Sequence, residues 1–181
     1  MREYDKIESI YKRDEKTHQF LEGQWSMPEF EYLQNNNWVA TEKIDGTNMS
    51  VEWHPDISQI IINGRTKDAQ TPKFLLEKMN QIFTIENFKT LYPETPMTLF
   101  GEGYGAKIQS GGKYISIGCD FILFDVLIDN WWLNRANIED VANKLGLRVV
   151  PIVGTYTLSQ AITLIKSKVL KSVFGDFLAE G

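Results

Sequence analysis

Cysteine is nearly absent from this 181-residue sequence, and histidine almost as scarce. The single Cys119 has no partner for an internal disulfide, and it makes no metal-ligand spacing with His18 or His54. A disulfide scaffold and a zinc-knuckle type of site are therefore excluded. Cys119 opens an apolar run, so we expect a buried structural thiol in a reducing compartment. Long hydrophobic runs are missing as well. No apolar segment follows Met1-Arg2-Glu3-Tyr4-Asp5, so we expect no signal peptide, no membrane span and a cytoplasmic location, in a cell or in a virus-infected host. Basic charge is also short: 19 Lys and Arg against 24 Asp and Glu leave a net charge of −5. Such a balance cannot grip a phosphate backbone broadly, so a nucleic-acid partner would need local basic patches or a basic module supplied elsewhere. Repeats and low-complexity linkers are absent. One domain, a monomer, is the natural expectation at this length.

What is present is concentrated in Lys43-Ile44-Asp45-Gly46-Thr47-Asn48. Alternating apolar residues flank it from Trp38 to Trp53, which reads as strand, tight turn, strand. A lysine at a strand end can be held rigidly at a pocket floor, and Gly46 lets a ligand approach the backbone. A lysine ammonium has no lone pair, and its reference pKa of roughly 10.4 leaves little free amine at neutral pH. A nucleophilic role therefore needs burial, neighbouring cations or a bound metal. The same residues would equally suit an ordinary hairpin end, and this stretch alone leaves both readings open.

Further short patterns follow in order. Ile60-Ile61-Ile62-Asn63-Gly64-Arg65 is a strand ending at Gly-Arg. Phe100-Gly101-Glu102-Gly103 places an acid between glycines, and Phe121-Ile122-Leu123-Phe124-Asp125 is an apolar strand carrying Phe-Asp. Phe177-Leu178-Ala179-Glu180-Gly181 ends the chain. Together these resemble motif I, its following arginine, and motifs III, IIIa and IV of the covalent nucleotidyltransferases, the superfamily of DNA ligases, RNA ligases and capping enzymes. The resemblance runs from about Val39 to the C-terminus. At the sixth position of motif I, DNA ligases and capping enzymes usually carry Arg, whereas this chain has Asn48. Glu-Lys-x-x-Gly-Thr-Asn is similar to the RNA ligase 2 type of phages and to the kinetoplastid RNA-editing ligases, although those often have His where Asp45 stands.

The resemblance implies an α+β, ATP-grasp-like nucleotidyltransferase (adenylation) domain, with two antiparallel sheets flanked by helices around a nucleotide cleft. It implies ATP as substrate with Mg²⁺ or Mn²⁺, and RNA ends as partners, in a nicked duplex or an RNA/DNA hybrid. Lys43 would carry AMP as a phosphoramidate. Arg65 would meet ribose or phosphate through its planar fork of donors, and Glu102 would accept from the ribose hydroxyls. Phe124 would stack on adenine, Asn48 would contact the nucleotide through its amide, and Glu42 would lie close to the base through backbone groups. Glu180 would help hold the divalent cation near the α-phosphate. Asp45 and Asp125 suit structural roles equally well, and Lys107 and Lys113 in the Gly/Ser loop after Glu102 read as solvated cations that could also touch phosphate. The family's Lys-x-Lys pair beyond motif IV does not occur, so we expect residues 1–181 to form a single nucleotidyltransferase domain truncated at its C-terminus. A DNA ligase, a capping-type enzyme and a non-catalytic nucleotide- or RNA-binding module remain as alternatives.

Between the motifs, periodicity predicts helices. Thr71-Pro72 would start one, with Pro72 at its first position and Leu75, Met79 and Ile82 on its buried face. Asn137 with Asp140 resembles a helix start, ahead of a stripe of Ile138, Val141, Ala142 and Leu145 closed by Gly146. Thr157 and Gln160 form a capping-box pattern before a stripe of Leu158, Ala161, Ile162 and Ile165. Trp131-Trp132 reads as packing rather than base stacking.

Overall fold

The computed structural model describes residues 3–66 and 71–180. Its centre is an antiparallel sheet built on a long strand, β6 (Met97–Gly105), which is hydrogen-bonded on both edges. To make the numbering plain, the chain runs β1 (Tyr11–Arg13), β2 (Phe20–Trp25), α1 (Pro28–Tyr32), β3 (Trp38–Thr41), β4 (Thr47–His54), β5 (Gln59–Gly64), α2 (Lys73–Ile82), α3 (Ile85–Leu91) and β6. Then come β7 (Cys119–Ile128), β8 (Trp131–Trp132), α4 (Arg135–Leu145), β9 (Arg148–Val149), β10 (Ile152–Tyr156) and α5 (Leu158–Ser167). The main sheet has the order β5-β4-β6-β7-β8, and β9 joins β7 in parallel. Two smaller antiparallel pairs, β1 with β2 and β3 with β10, complete the described strands. The α+β class and the antiparallel sheets are as the sequence led us to expect.

Period-two alternation gives the sheet two distinct faces. Met49, Val51 and Trp53 on β4, Met97 and Leu99 on β6, and Phe121, Leu123 and Val126 on β7 point to one side. There they meet Leu75 and Met79 of α2, Phe88 of α3, and Ile138, Val141 and Ala142 of α4. The other face carries Asn48, Ser50 and Glu52 of β4 and Phe100, Glu102 and Tyr104 of β6. A smaller core forms there from Ile44, Tyr104, Ile122 and Val150.

Helix ends show where local chemistry overrode periodicity. Pro72 is the N-cap of α2 rather than its first residue. The cap of α4 is Asn134, whose side chain accepts from the Asn137 N–H, so the helix begins a turn earlier than Asn137 suggests. Gly146 closes α4 with φ 69°, as a left-handed cap demands. Thr157 and Gln160 form the reciprocal capping box, but Ile165 on that stripe stays 43% exposed. The polar, aromatic stretch before Gln34 folds into the β1–β2 hairpin and α1, elements without a clear periodic signal. Among the described residues, no helix is long and apolar enough to cross a membrane. Trp132 packs against Tyr4 and Phe100, as a packing reading requires, while Trp131 stands 78% exposed.

Trp53 anchors the larger core. Its ring stacks 5.3 Å from Phe88, and its indole N–H donates to the Tyr92 carbonyl at 2.8 Å. Trp53→Ala should therefore lose about 3–5 kcal/mol, the usual cost of truncating a buried aromatic, measurable by urea unfolding.

Candidate functional site

Residues 42–46 do not close a hairpin. The strand before them, β3, pairs with β10, whereas β4 after them pairs with β5 and β6. Lys43 thus sits on a connection between two sheets, which removes the ordinary hairpin reading. Gly46 is required there: a Cβ on it would collide with the Gly103 carbonyl oxygen of β6. That contact presses the connection onto the strand bearing Glu102.

Lys43 is not sunk in a pocket floor. Its side chain is 66% exposed, and Nζ forms an ion pair with Glu180 Oε1. Their backbones also meet in an isolated antiparallel bridge. Two residues 137 apart in the sequence are thereby held by both main chain and side chain. The second Glu180 oxygen, Oε2, is buried without a hydrogen-bond partner among the described residues. An unpaired buried carboxylate oxygen beside exposed charge is suited to a cation. Among the described residues, no group of three or more His, Cys, Asp or Glu is arranged to hold a metal. A divalent ion here would therefore need phosphate oxygens to complete its shell, the usual manner of Mg²⁺.

Glu102 lies directly opposite Asn48 in the β4–β6 register. Burial pushes its carboxyl up to about 7, with Glu180 and Asp45 adding to the rise and Lys43 and Arg65 opposing it. Those four charges all act on one carboxyl, so Lys43, Asp45, Arg65, Glu102 and Glu180 share a single electrostatic site. Arg65 reaches it from just beyond β5, exposed.

Phe124 joins this face through an irregularity. Leu123 pairs with Gly101 and Asp125 with Phe100, leaving Phe124 as an extra residue in the β6–β7 ladder. Such a bulge places two successive side chains on one side, so Phe124 and Asp125 both project from the face carrying Glu102. The Phe124 ring is half-buried against the smaller core. Tyr4 covers this corner: its ring lies 5.0 Å from both Phe100 and Phe124, and its hydroxyl donates to Asp125. Burial raises the Asp125 carboxyl, the Tyr4 bond pulling the other way. Burial, then the Asp125 bond, holds the Tyr4 phenol well above its ordinary value. Nothing in the sequence near Tyr4 signals this contact, 121 residues away from its partner.

Glu42 points elsewhere. It is buried, its Oε2 accepts from the Val173 N–H at 3.1 Å, and its backbone N–H donates to the Pro151 carbonyl at 2.9 Å. Its carboxylate thus ties down the segment leading to Glu180. Gly181 and part of the loop after Arg65 lie outside the described residues. Cys119 is half-buried, its thiol pushed up chiefly by burial, consistent with a structural role.

The Glu102 carboxyl gives a signed pH prediction. Folded Glu102 keeps its proton to about 7, while an unfolded glutamate loses it in the ordinary carboxylate range. Between these limits the folded state binds more protons, so this residue's contribution to stability falls as pH rises from about 5 to about 7. Glu102→Gln should remove that part of the slope. In thermal melts the variant should gain a few degrees on wild type at neutral pH and little at the acidic end.

Comparison with known proteins follows the same lines. No curated protein matches the chain. Among solved structures, a lysine-to-alanine variant of Naegleria gruberi RNA ligase with ATP and Mn superposes with TM-score 0.69 at 22% identity, over 85% of this chain and 47% of that one. The same ligase with PPi gives 0.68 at 22%, again over 85% and 47%. A lysine-to-methionine variant with AMP and Mn gives 0.61 at 22%, over 76% and 43%. The chain thus spans about half the length of these solved proteins, and the likeness establishes the nucleotidyltransferase fold. The RNA ligase family model matches residues 36–181, which include all the strands that build the site: this chain belongs to the RNA ligase family.

Proposed function

We propose that this chain is the adenylyltransferase domain of an ATP-dependent RNA ligase, with Lys43 as the nucleophile. The observation that carries the reading is the ion-paired bridge between Lys43 and Glu180, set beside Glu102 and Arg65. Lys43 Nζ would attack the α-phosphorus of ATP. The N–P bond forms, the α–β phosphoanhydride breaks, pyrophosphate leaves with the bonding pair, and the amine gives up a proton. An RNA 5′-phosphate oxygen would then displace the lysine and take the AMP. In the full ligation the neighbouring 3′-hydroxyl attacks that 5′-phosphate and expels AMP. Relatives solved with ATP or AMP and Mn, and with PPi, support these ligands.

The remaining residues would do the positioning that dominates such transfers. Glu102 accepts from ribose hydroxyls once it is ionised, which the approach of Lys43 and Arg65 favours. Asn48, opposite it, presents an amide to the same sugar or phosphate. Phe124 offers a ring for the base on the bulged edge of the face. Glu180 would exchange its lysine for the divalent cation, Mg²⁺ or Mn²⁺, through its unpartnered oxygen. The cation supplies charge neutralisation at the transferred phosphate. Release of Lys43 from Glu180 would then accompany nucleotide loading, freeing the side chain to turn toward the phosphate. Family membership favours RNA over DNA ends. A nicked duplex or RNA/DNA hybrid as substrate, a monomeric state and a cytoplasmic site of action complete the proposal.

Intact mass after incubation with ATP and Mg²⁺ tests it. Wild type should gain one AMP and Lys43→Ala none, and GTP should not replace ATP, which separates the reading from a capping-type enzyme. No gain in wild type, with ATP binding surviving Lys43→Ala, would instead establish a nucleotide-binding module.

A further inference from the structure

One aromatic side chain touches both halves of the site without belonging to either. The loop after β6 runs back under the Lys43 connection, and the Ser110 N–H donates to the Asp45 carboxylate at 3.1 Å. The Asp45 N–H in turn donates to the Tyr114 hydroxyl oxygen at 3.2 Å. On its other side Tyr114 meets the segment that ends at Glu180. Its ring lies 5.4 Å from Phe174 and 5.2 Å from Phe177, both edge-on, and 5.9 Å from Tyr104 of β6. Lys113 extends over the Tyr114 and Phe177 rings, 5.1 and 5.3 Å from their centres.

The segment so gripped is a narrow antiparallel turn. Lys171 bridges Leu178, Ser172 N–H donates to the Phe177 carbonyl at 2.9 Å, and Ala179 N–H donates to the Leu170 carbonyl at 3.0 Å. Little of it is buried: Val173 and Leu178 are exposed. Its position against the sheet depends on the Glu42 bond to Val173, the Lys43–Glu180 contact and the rings around Tyr114. The loop carrying Tyr114 is itself held in an unfavourable form, with Lys107 and Gln109 at φ 67° and 47°. Non-glycine residues keep such angles only where their surroundings enforce them.

We propose that Tyr114 is a positioning residue that sets the register between Lys43 and Glu180. Its hydroxyl fixes the turn carrying the lysine, and its ring fixes the hairpin carrying the glutamate. The proposal deepens the ligase reading, since the pair it aligns is the nucleophile and cation ligand of that reading. It does not need ATP to be tested, because the alignment exists in the free chain.

The test is acetylation of the full chain with N-hydroxysuccinimidyl acetate, read lysine by lysine by mass spectrometry, with exposed Lys89 as the internal reference. An amine held against a carboxylate is occupied, and releasing it exposes it to reagent. Tyr114→Leu, which removes both grips, should raise Lys43 acetylation relative to Lys89 by about threefold or more, approaching Glu180→Gln. Tyr114→Phe keeps the ring contacts and stays folded, and loss of its hydroxyl alone should give an intermediate rise. A merely structural role would lower the melting temperature without singling out Lys43. Lys43 reactivity equal to wild type in both Tyr114 variants overturns the proposal, and Tyr114→Phe decides it alone if the leucine variant unfolds. Absence of an AMP adduct in wild type counts against the ligase reading only. Where wild type takes AMP, Tyr114→Leu should lower the rate at saturating ATP more than it changes KM.

Discussion

Because β6 is hydrogen-bonded to β4 on one edge and β7 on the other, it fixes the positions of Asn48, Glu102 and Phe124 relative to one another. A strand in that position cannot slip by one residue without turning Leu99 out of the core and Glu102 into it. Core packing therefore sets the direction of Glu102, and strand pairing sets its distance from Asn48. The glycines on either side of Glu102 belong to the same constraint. A Cβ at Gly101 would meet the Phe121 ring and the Ile122 carbonyl, and one at Gly103 would meet Leu75 at 2.6 Å. Packing against neighbours that leave no room for a Cβ explains the Gly-Glu-Gly pattern without any appeal to flexibility.

On this rigid floor charges of both signs meet. Asp45, Glu102 and Glu180 face Lys43 and Arg65 within one electrostatic neighbourhood. With the Glu102 carboxyl held protonated to about 7 by burial, Asp45 and Glu180 face Lys43 and Arg65 in near balance, and one Glu180 oxygen has no hydrogen-bond partner among the described residues. Under the proposed reading, a divalent cation loaded with the triphosphate would supply positive charge at the Glu180 oxygen and let the lysine leave its carboxylate partner. The overall charge of −5 is no obstacle to that event, since it is the local sign that a phosphate meets. It does limit how much RNA affinity this domain can supply by itself.

Much of this was readable from short patterns whose chemistry is local. Lys43-Ile44-Asp45-Gly46, Gly-Glu-Gly and Phe-Asp named residues that the structure gathers on one face, because each pattern reports a backbone requirement fulfilled within a few residues. What escaped reading was non-local. Whether β3 and β4 pair with one another depends on β10, far along the chain, which pairs with β3 instead, so the hairpin alternative could not be closed. The pairing of Lys43 with Glu180 joins residues 137 apart in the sequence, and the contact between Tyr4 and Asp125 comes from an N-terminal segment with no periodicity. The bulge that presents Phe124 and Asp125 together arises from a mismatch between two strands, a property neither possesses alone. The start of α4 differed for a local reason: Asn134 and Asn137 both suit a cap, and it is Asn134 whose side chain accepts from the Asn137 N–H.

The two walls of the site differ in how firmly they are held, and that difference bears on the reaction. Asn48, Glu102 and Phe124 stand on β4, β6 and β7, whose core-facing residues Met49, Val51, Trp53, Met97, Leu99, Leu123 and Val126 are buried, so opening them means opening the core. Glu180 stands on a turn with exposed Val173 and Leu178, secured by a few polar bonds and aromatic edges. Segments with few buried contacts lie at the low end of the local stability scale. A ligase must admit a triphosphate, release pyrophosphate and later admit RNA to the same phosphorus, three events that require one wall to yield. Under the proposed reading the division would be nucleotide recognition on the sheet and the cation ligand on the less firmly packed turn. The ion pair and backbone bridge between Lys43 and Glu180 join the two walls, so under the proposed reading the lysine would be held while the Glu180 turn is docked.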